Sequence, residues 1–395
     1  MKVKKLKFEN HKVLGDLEID FTDETGKPLD TIVFIGDNGT GKTQVLESIV
    51  NLLESHPYTE DPDVKKEISN GMATLTLEDF DTVKTSISWE GFPRHMSDLR
   101  SSFSYGSLKA KSPRLVWIPA ELNIEQNMRK EMSMDERIER KSIKLIESAS
   151  QWHFENVIDY VVEIIDNEVY GGTHATTDEA IEVACQEINQ IFNVLDLKLK
   201  LKGVTPRTKI PLFKTEFDHE FDIRELSSGE KQIFFRFLSL KRLNINNAII
   251  LIDEPETSLH PEWQRKIIDV YRNIGENNQI IMATHSPLII GSVPSESVRI
   301  MSRDNEGKIK VNRAHQSYGQ TVDYILNLLM GLKDLRDVDT ARDLKAASQM
   351  LKENKFDDYG RLINTLKEQL GSTDKDIMRL EFEKAIKVKQ NAKNN

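Results

Sequence analysis

A single cysteine, Cys185, stands in the whole 395-residue chain. No internal disulfide can form, which excludes a disulfide-stapled scaffold and fits a reducing compartment. Nowhere does the chain run through about 18 consecutive apolar residues, so no segment reads as a membrane-spanning helix. The opening Met1-Lys2-Val3-Lys4-Lys5-Leu6-Lys7 is followed by no apolar leader segment, and the expected location is cytoplasmic. Positive charge is short: 54 Lys and Arg face 64 Asp and Glu, a formal net charge of −10. That balance does not advertise nucleic-acid binding, although a local basic groove can work on an acidic protein. The nine histidines form no H-N-H or H-E-x-x-H grouping. Asp337-Val338-Asp339 lies in a polar helical stretch with no apolar strand before it, and reads as a solvated helix start. No nuclease active site is therefore expected in this chain. Its length leaves room for two domains, or for one with large insertions.

What is present is concentrated in four short stretches. The apolar strand 31–35 runs directly into Gly36-Asp37-Asn38-Gly39-Thr40-Gly41-Lys42-Thr43, a G-x-x-x-x-G-K-[ST] pattern in its strand–loop–helix setting. The glycines let backbone N–H groups close around phosphate oxygens at the start of a helix near Lys42. Lys42 supplies a point charge for β- and γ-phosphates, and the Thr43 hydroxyl can ligate Mg²⁺. A second apolar run, residues 248–252, reads as a central parallel strand because both of its faces need cover. Asp253 and Glu254 then sit at its C-terminal tip, where open α/β sheets hold ligands. A third strand, residues 279–283, ends in Thr284-His285-Ser286-Pro287, and Leu226-Ser227-Ser228-Gly229-Glu230-Lys231-Gln232 is a polar helix start. Alone, these four could be a glycine-rich turn, a solvated acidic turn, a structural histidine and an ordinary helix cap. Three strand tips in this order exclude coincidence.

The set resembles the ABC-type ATPases, in the soluble branch that includes RecF, SMC-like and OLD-like proteins. The resemblance implies an α/β fold: an ABC-type P-loop ATPase head with a β-subdomain, a compact helical insertion and a C-terminal helical region. It implies ATP and Mg²⁺ as cofactors, with Thr43 and Asp253 on the metal side. It casts Glu254 as the general base and His285 as the switch that senses the γ-phosphate. Ser227, Ser228, Gly229 and Glu230 fall on the signature, which caps the γ-phosphate held by a second protomer in a head-to-tail ATP sandwich or a higher oligomer. Ser228 replaces the usual first glycine and Glu230 the usual glutamine. Ser258 to Pro261 match the loop that joins the two ATP sites. Glu121 stands nearest to where relatives place the Q-loop glutamine, and the next glutamine is Gln126.

Four regions follow: 1–123, an ATPase lobe with the phosphate loop and β-subdomain; 124–220, a helical insertion; 221–313, a second ATPase lobe; and 314–395, a C-terminal helical region. Strands are expected at 3–8, 17–21, 73–77, 83–89 and 114–118, and a polar loop at 92–111. The pattern from 124 to 195 reads as helical. The alternation Leu197-Lys198-Leu199-Lys200-Leu201-Lys202 predicts a strand with one lysine face, either solvated or, with Arg207 and Lys209, a phosphate-backbone contact. Lys2, Lys4, Lys5 and Lys7 pose the same choice. Asn10 and Lys12 lie where RecF-like proteins contact the nucleotide base. Residues 297–301 and 308–312 predict a hairpin. The tail from Tyr318 is helical and resembles that of the ATPase subunits of Septu-type antiphage systems (PtuA) and their retron-linked relatives. In that arrangement a separate HNH nuclease does the cutting. Leu344, Ala347 and Leu351 share one helix face, and Leu362, Ile363, Leu366 and Leu370 another; these faces would cover the ATPase lobes or dock the partner.

The leading reading is an ATPase that gates a nuclease effector by ATP-dependent dimerisation. Two rivals stay open: a RecF-like DNA-repair ATPase that clamps DNA directly, and an ATP-locked scaffold with little turnover.

Overall fold

Alternating apolar residues set the first two strands, β1 (Val3–His11) and β2 (Gly15–Asp20), whose inward positions include Val3, Leu6, Phe8, Leu17 and Ile19. A computed structural model describes residues 2–54, 72–78, 83–86, 114–118, 146–148, 154–172, 174–332 and 334–394. The two strands pair antiparallel, and β1 pairs in turn with β4 (Met72–Leu77), which carries β5 (Val83–Ser86) on its far side. This is the four-stranded β-subdomain, in the order β2-β1-β4-β5.

Where the sequence is continuously apolar the strands are buried along their whole length. β3 (Thr31–Gly36), β11 (Ala248–Asp253) and β12 (Gln279–Ala283) have no exposed position. They form the middle of a seven-stranded sheet in the order β14-β13-β3-β12-β11-β6-β7. β6 is Arg114–Ile118 and β7 is Ile146–Ser148. β13 (Val298–Arg303) and β14 (Ile309–Arg313) make the expected hairpin, and β13 continues the sheet parallel to β3. Every other neighbouring pair in this sheet is also parallel. The α/β head follows from this arrangement.

Helix α1 (Lys42–Glu54) follows the phosphate loop and buries Val45, Leu46, Ile49, Val50 and Leu52 in the main core. The insertion holds α2 (Phe154–Tyr170) and α3 (Thr177–Val194), then a three-stranded sheet β10-β9-β8 with β8 Leu199–Val204, β9 Pro211–Thr215 and β10 Glu220–Asp222. Asn189 of α3 closes the free edge of β8: its amide donates to Leu201 O at 2.9 Å and accepts from Leu201 N at 2.7 Å. The expectation of helix throughout 124–195 needs one correction, because residues 146–148 return to the main sheet as β7 beside β6. The expected loop at 92–111, Glu121 and Gln126 lie outside the described residues.

Several lysines of the predicted lysine faces stand beside carboxylates. Lys198 lies 3.4 Å from both Asp196 and Glu216, Lys202 2.5 Å from Glu220, and Lys209 3.7 Å from Asp166. Lys2, Lys5 and Lys7 pair with Asp30, Glu18 and Glu9.

The chain divides into two compact units, Met1–Ile325 and Leu326–Asn395. The second holds α7 (Val338–Lys352), α8 (Phe356–Leu370) and α9 (Lys375–Asn394). Asp337 caps α7, accepting from the N–H groups of Asp339 and Thr340, so the Asp-x-Asp is a helix start. Leu344, Ala347, Leu351, Ile363 and Leu366 are buried with Tyr359, Ile377 and Leu380 in one small core. The faces singled out as a cover or docking surface are thus spent on one another. The exposed apolar positions of this unit include Leu328 and Val338 and, on α9, Met378, Phe382 and Ile386.

Candidate functional site

Register places three motifs on one edge of the main sheet. Asp253 stands opposite Ala283, and Ala283 opposite Phe34, so the C-terminal tips of β11, β12 and β3 lie side by side. Backbone bonds lace them together: Glu254 N donates to Ala283 O at 2.9 Å, and Thr284 N to Phe34 O at 3.1 Å. The strand bearing His285 therefore lies between the phosphate-loop strand and the acidic strand.

The loop from Gly36 to Gly41 is glycine-dependent at its ends. Gly36 has φ 145°, and a Cβ there would lie 2.1 Å from Met301 O; Gly41 has φ 88°, and its Cβ would meet Leu14 Cδ2 at 2.4 Å. The loop is thus braced by the β13 hairpin behind and the β1–β2 turn above. Thr40 Oγ1 donates to Asp37 O at 2.8 Å, closing the turn, while Asp37, Asn38 and Gly39 face solvent. Arg303, which spacing did not reveal, donates to Gly39 O at 2.7 Å and to Gly307 O at 2.9 Å.

Lys42 is buried and its Nζ donates to Gly36 O at 2.8 Å and Asp37 O at 3.1 Å. Burial draws its pKa down, and Glu254 and Asp253 work against that. The Thr43 hydroxyl is 3.0 Å from Asp253 Oδ2. Burial pushes the Asp253 carboxyl up, opposed by that hydroxyl and reinforced by Glu254. Glu47, one turn along α1, is raised by burial and by Asp253, and accepts from Gln44 at 2.6 Å. A hydroxyl and a carboxylate converging beside a buried lysine are an oxygen donor set suited to Mg²⁺ and a phosphate chain, so the residues present fit both cofactors. His285 is half-buried, and burial followed by the charge of Lys42 lowers its pKa.

Ser227 and Glu230 form a capping box at the start of α4 (Ser228–Arg242): Ser227 N donates to Glu230 Oε2 at 2.8 Å, and Glu230 N to Ser227 Oγ at 3.3 Å. The helix opens at Ser228, inside the expected polar helix start. Gly229 packs on the loop after Glu254, since a Cβ there would lie 2.6 Å from Ser258 O. That loop leads into α5 (Pro261–Arg272), and the short α6 (Pro287–Ile290) follows β12. Glu254 and Ser258 both hold positive φ, 43° and 63°.

Glu256, passed over in the sequence, joins two motifs: it accepts from Thr284 Oγ1 at 2.8 Å and from His285 N at 2.5 Å. Burial pushes its carboxyl up against those bonds. Asn10 lies near the end of β1 and Lys12 in the turn to β2, and the Asn10 N–H donates to Asp16 Oδ1 at 2.7 Å.

Residues 32–291 match the family described as "AAA domain, putative AbiEii toxin, Type IV TA system". The chain is 24% identical over 360 residues to the Septu protein PtuA of Bacillus thuringiensis, covering 85% of each. It is 22% identical over 348 residues to "Retron Ec83 probable ATPase" of Escherichia coli, covering 81% of this chain and 61% of that protein. Among solved structures, an SMC head bound to the C-winged helix domain of ScpA is 13% identical with a TM-score of 0.43, over 79% of this chain and 97% of that one.

Proposed function

The chain belongs to the AAA_21 family of AAA domains, and from that premise we propose that it is an ABC-type ATPase of antiphage defence, whose ATP-dependent dimerisation regulates a separate HNH-type nuclease. The observation that carries the enzymatic part is the 3.0 Å contact between the Thr43 hydroxyl and the Asp253 carboxylate beside buried Lys42. The defence part rests on the likeness to PtuA, which spans most of both chains.

In this reading the backbone N–H groups of residues 36–43 and Lys42 hold the phosphates, while Thr43 and Asp253 hold the metal. Mg²⁺, when bound, supplies charge neutralisation on the phosphate oxygens. Glu254 accepts the proton of the attacking water, and His285 aims its imidazole at the terminal phosphate. Ser227, Ser228, Gly229 and Glu230, at the start of α4, face the phosphate of a second protomer, with the N–H groups of Ser228 and Gly229 as donors while Ser227 and Glu230 cap the helix. Binding energy is then spent on dimer geometry, and hydrolysis releases it.

Glu254→Gln keeps the shape of the side chain but cannot take the proton. ATP binding should survive while turnover falls about 10²-fold or more, whereas Lys42→Ala should lose binding itself. Near-normal turnover in Glu254→Gln removes Glu254 from the role. A nuclease that co-purifies with the wild-type chain supports the effector assignment. DNA-stimulated turnover with a steep salt dependence, and no such partner, supports the DNA-clamp rival instead. The pairing of Lys198, Lys202 and Lys209 with carboxylates favours the first.

A further inference from the structure

Between the acidic tip of β11 and helix α5 the loop 255–260 touches a motif on either side. The signature helix rests on one side of it. Gly229 of α4 lies against Ser258 O, and Arg236 of α4 donates to Pro255 O at 3.4 Å. On the other side two polar bridges reach the tip of β12. The first is Glu256, whose Oε2 accepts from Thr284 Oγ1 at 2.8 Å and whose Oε1 accepts from His285 N at 2.5 Å. The second is Gln264 of α5, which accepts from Ser286 Oγ at 2.6 Å and donates to Leu259 O at 2.9 Å. Thr284 Oγ1 also accepts from Ser286 N at 2.9 Å. The residues on both sides of His285, and its own N–H, are therefore tied to the loop under the signature helix.

Resting on the reading of His285 as a phosphate-sensing group, we propose that Glu256 is a positioning residue that fixes the His285 backbone, and hence the aim of its imidazole, from the loop that supports the signature helix. The chemistry fits a carboxylate. Thr284 and His285 each present a donor, and a carboxylate accepts both, one on each oxygen. A charged acceptor makes such bonds shorter and stronger than a neutral one. Two attachment points, one on a side chain and one on the main chain, stop the tip of β12 from pivoting. Movement of the signature helix against Ser258 and Pro255 is thereby transmitted to His285 through a short, stiff link rather than through the sheet.

The test is a mutant cycle read in two ways. Glu256→Ala should lower ATP turnover about 10-fold or more while nucleotide affinity stays within about 2-fold. In a His285→Ala background the same change should move turnover by less than about 2-fold, because there is no imidazole left to aim. Glu256→Gln keeps one oxygen for the His285 N–H and can donate to Thr284 Oγ1, so it should restore turnover to within about 3-fold of wild type. Independently of catalysis, amide hydrogen exchange at His285 should accelerate in Glu256→Ala and stay unchanged across β3 and α1. An equal loss of turnover in both backgrounds, or unchanged exchange at His285, overturns the proposal. If His285→Ala alone hydrolyses ATP normally, the sensing role of His285 fails, and exchange at His285 still decides whether Glu256 sets that backbone. Should Glu256→Ala fail to fold, Thr284→Val removes one of the two bonds at nearly constant volume. It must show the same dependence on His285, and additive losses overturn the proposal.

Discussion

His11 has 4% of its surface exposed, and its Nδ1 accepts the N–H groups of Val13 and Leu14, both at 2.9 Å. A ring nitrogen accepting two N–H groups must carry no proton, and burial draws the His11 pKa down to about 4. Between that value and the ordinary 6.5 the unfolded chain binds a proton that the folded chain refuses. The contribution is whole above pH 6.5 and is lost as pH falls towards 4, amounting to about 3 kcal/mol. Because Leu14 leans on Gly41, acid should loosen the phosphate loop along with the turn. His11→Asn leaves an acceptor that does not titrate. Its unfolding midpoint should fall less than that of wild type between pH 7 and pH 5, and parallel profiles would rule His11 out. Nothing in the sequence marks His11, because its partners are main-chain groups and its burial comes from packing on Phe8 at 5.1 Å between ring centroids. Glu256 was visible inside its motif but its partners lie 28 and 29 residues away, a distance no local spacing encodes.

At the scale of elements, Gln279 is the seam between the two larger sheets. It is fully buried at the start of β12; its carbonyl accepts from Val3 N at 2.6 Å, and its amide donates to Val3 O and Leu29 O, each at 3.0 Å. Gln279→Leu conserves volume but strands the three main-chain groups it served. The expected cost is about 2–3 kcal/mol, read as a shift in denaturant midpoint with unchanged slope. A shift below about 0.5 kcal/mol would mean that water or a neighbour replaces the amide. The central strands were legible because a continuous apolar run has few homes other than a doubly covered parallel sheet. β7 was not, since its three residues carry no periodicity and pair only because β6 offers an edge. The helix faces of α7 and α8 were legible as faces, but apolar spacing says that a face is covered and not by what. Here each covers the other.

For the whole molecule, the decisive question is whether one ATP site is built from two chains. Lys42→Ala removes the phosphate-binding half and Ser227→Arg blocks the signature half, so each variant alone should be inactive. In a mixture, half of randomly paired dimers combine one of each and hold a single intact composite site, so about a quarter of wild-type turnover should return. No recovery on mixing would place both halves within one protomer. The loop beneath that signature has a further consequence. Residues 254–260 contain no glycine, yet Glu254 and Ser258 both sit in left-handed backbone, which costs an ordinary side chain about 1 kcal/mol each. Selection for heat tolerance alone would drift towards glycine or asparagine at both positions. If Glu254 is the base proposed above, a glutamate there trades durability for turnover, so variants ranked by melting temperature and variants ranked by turnover would come out in different orders at this one residue.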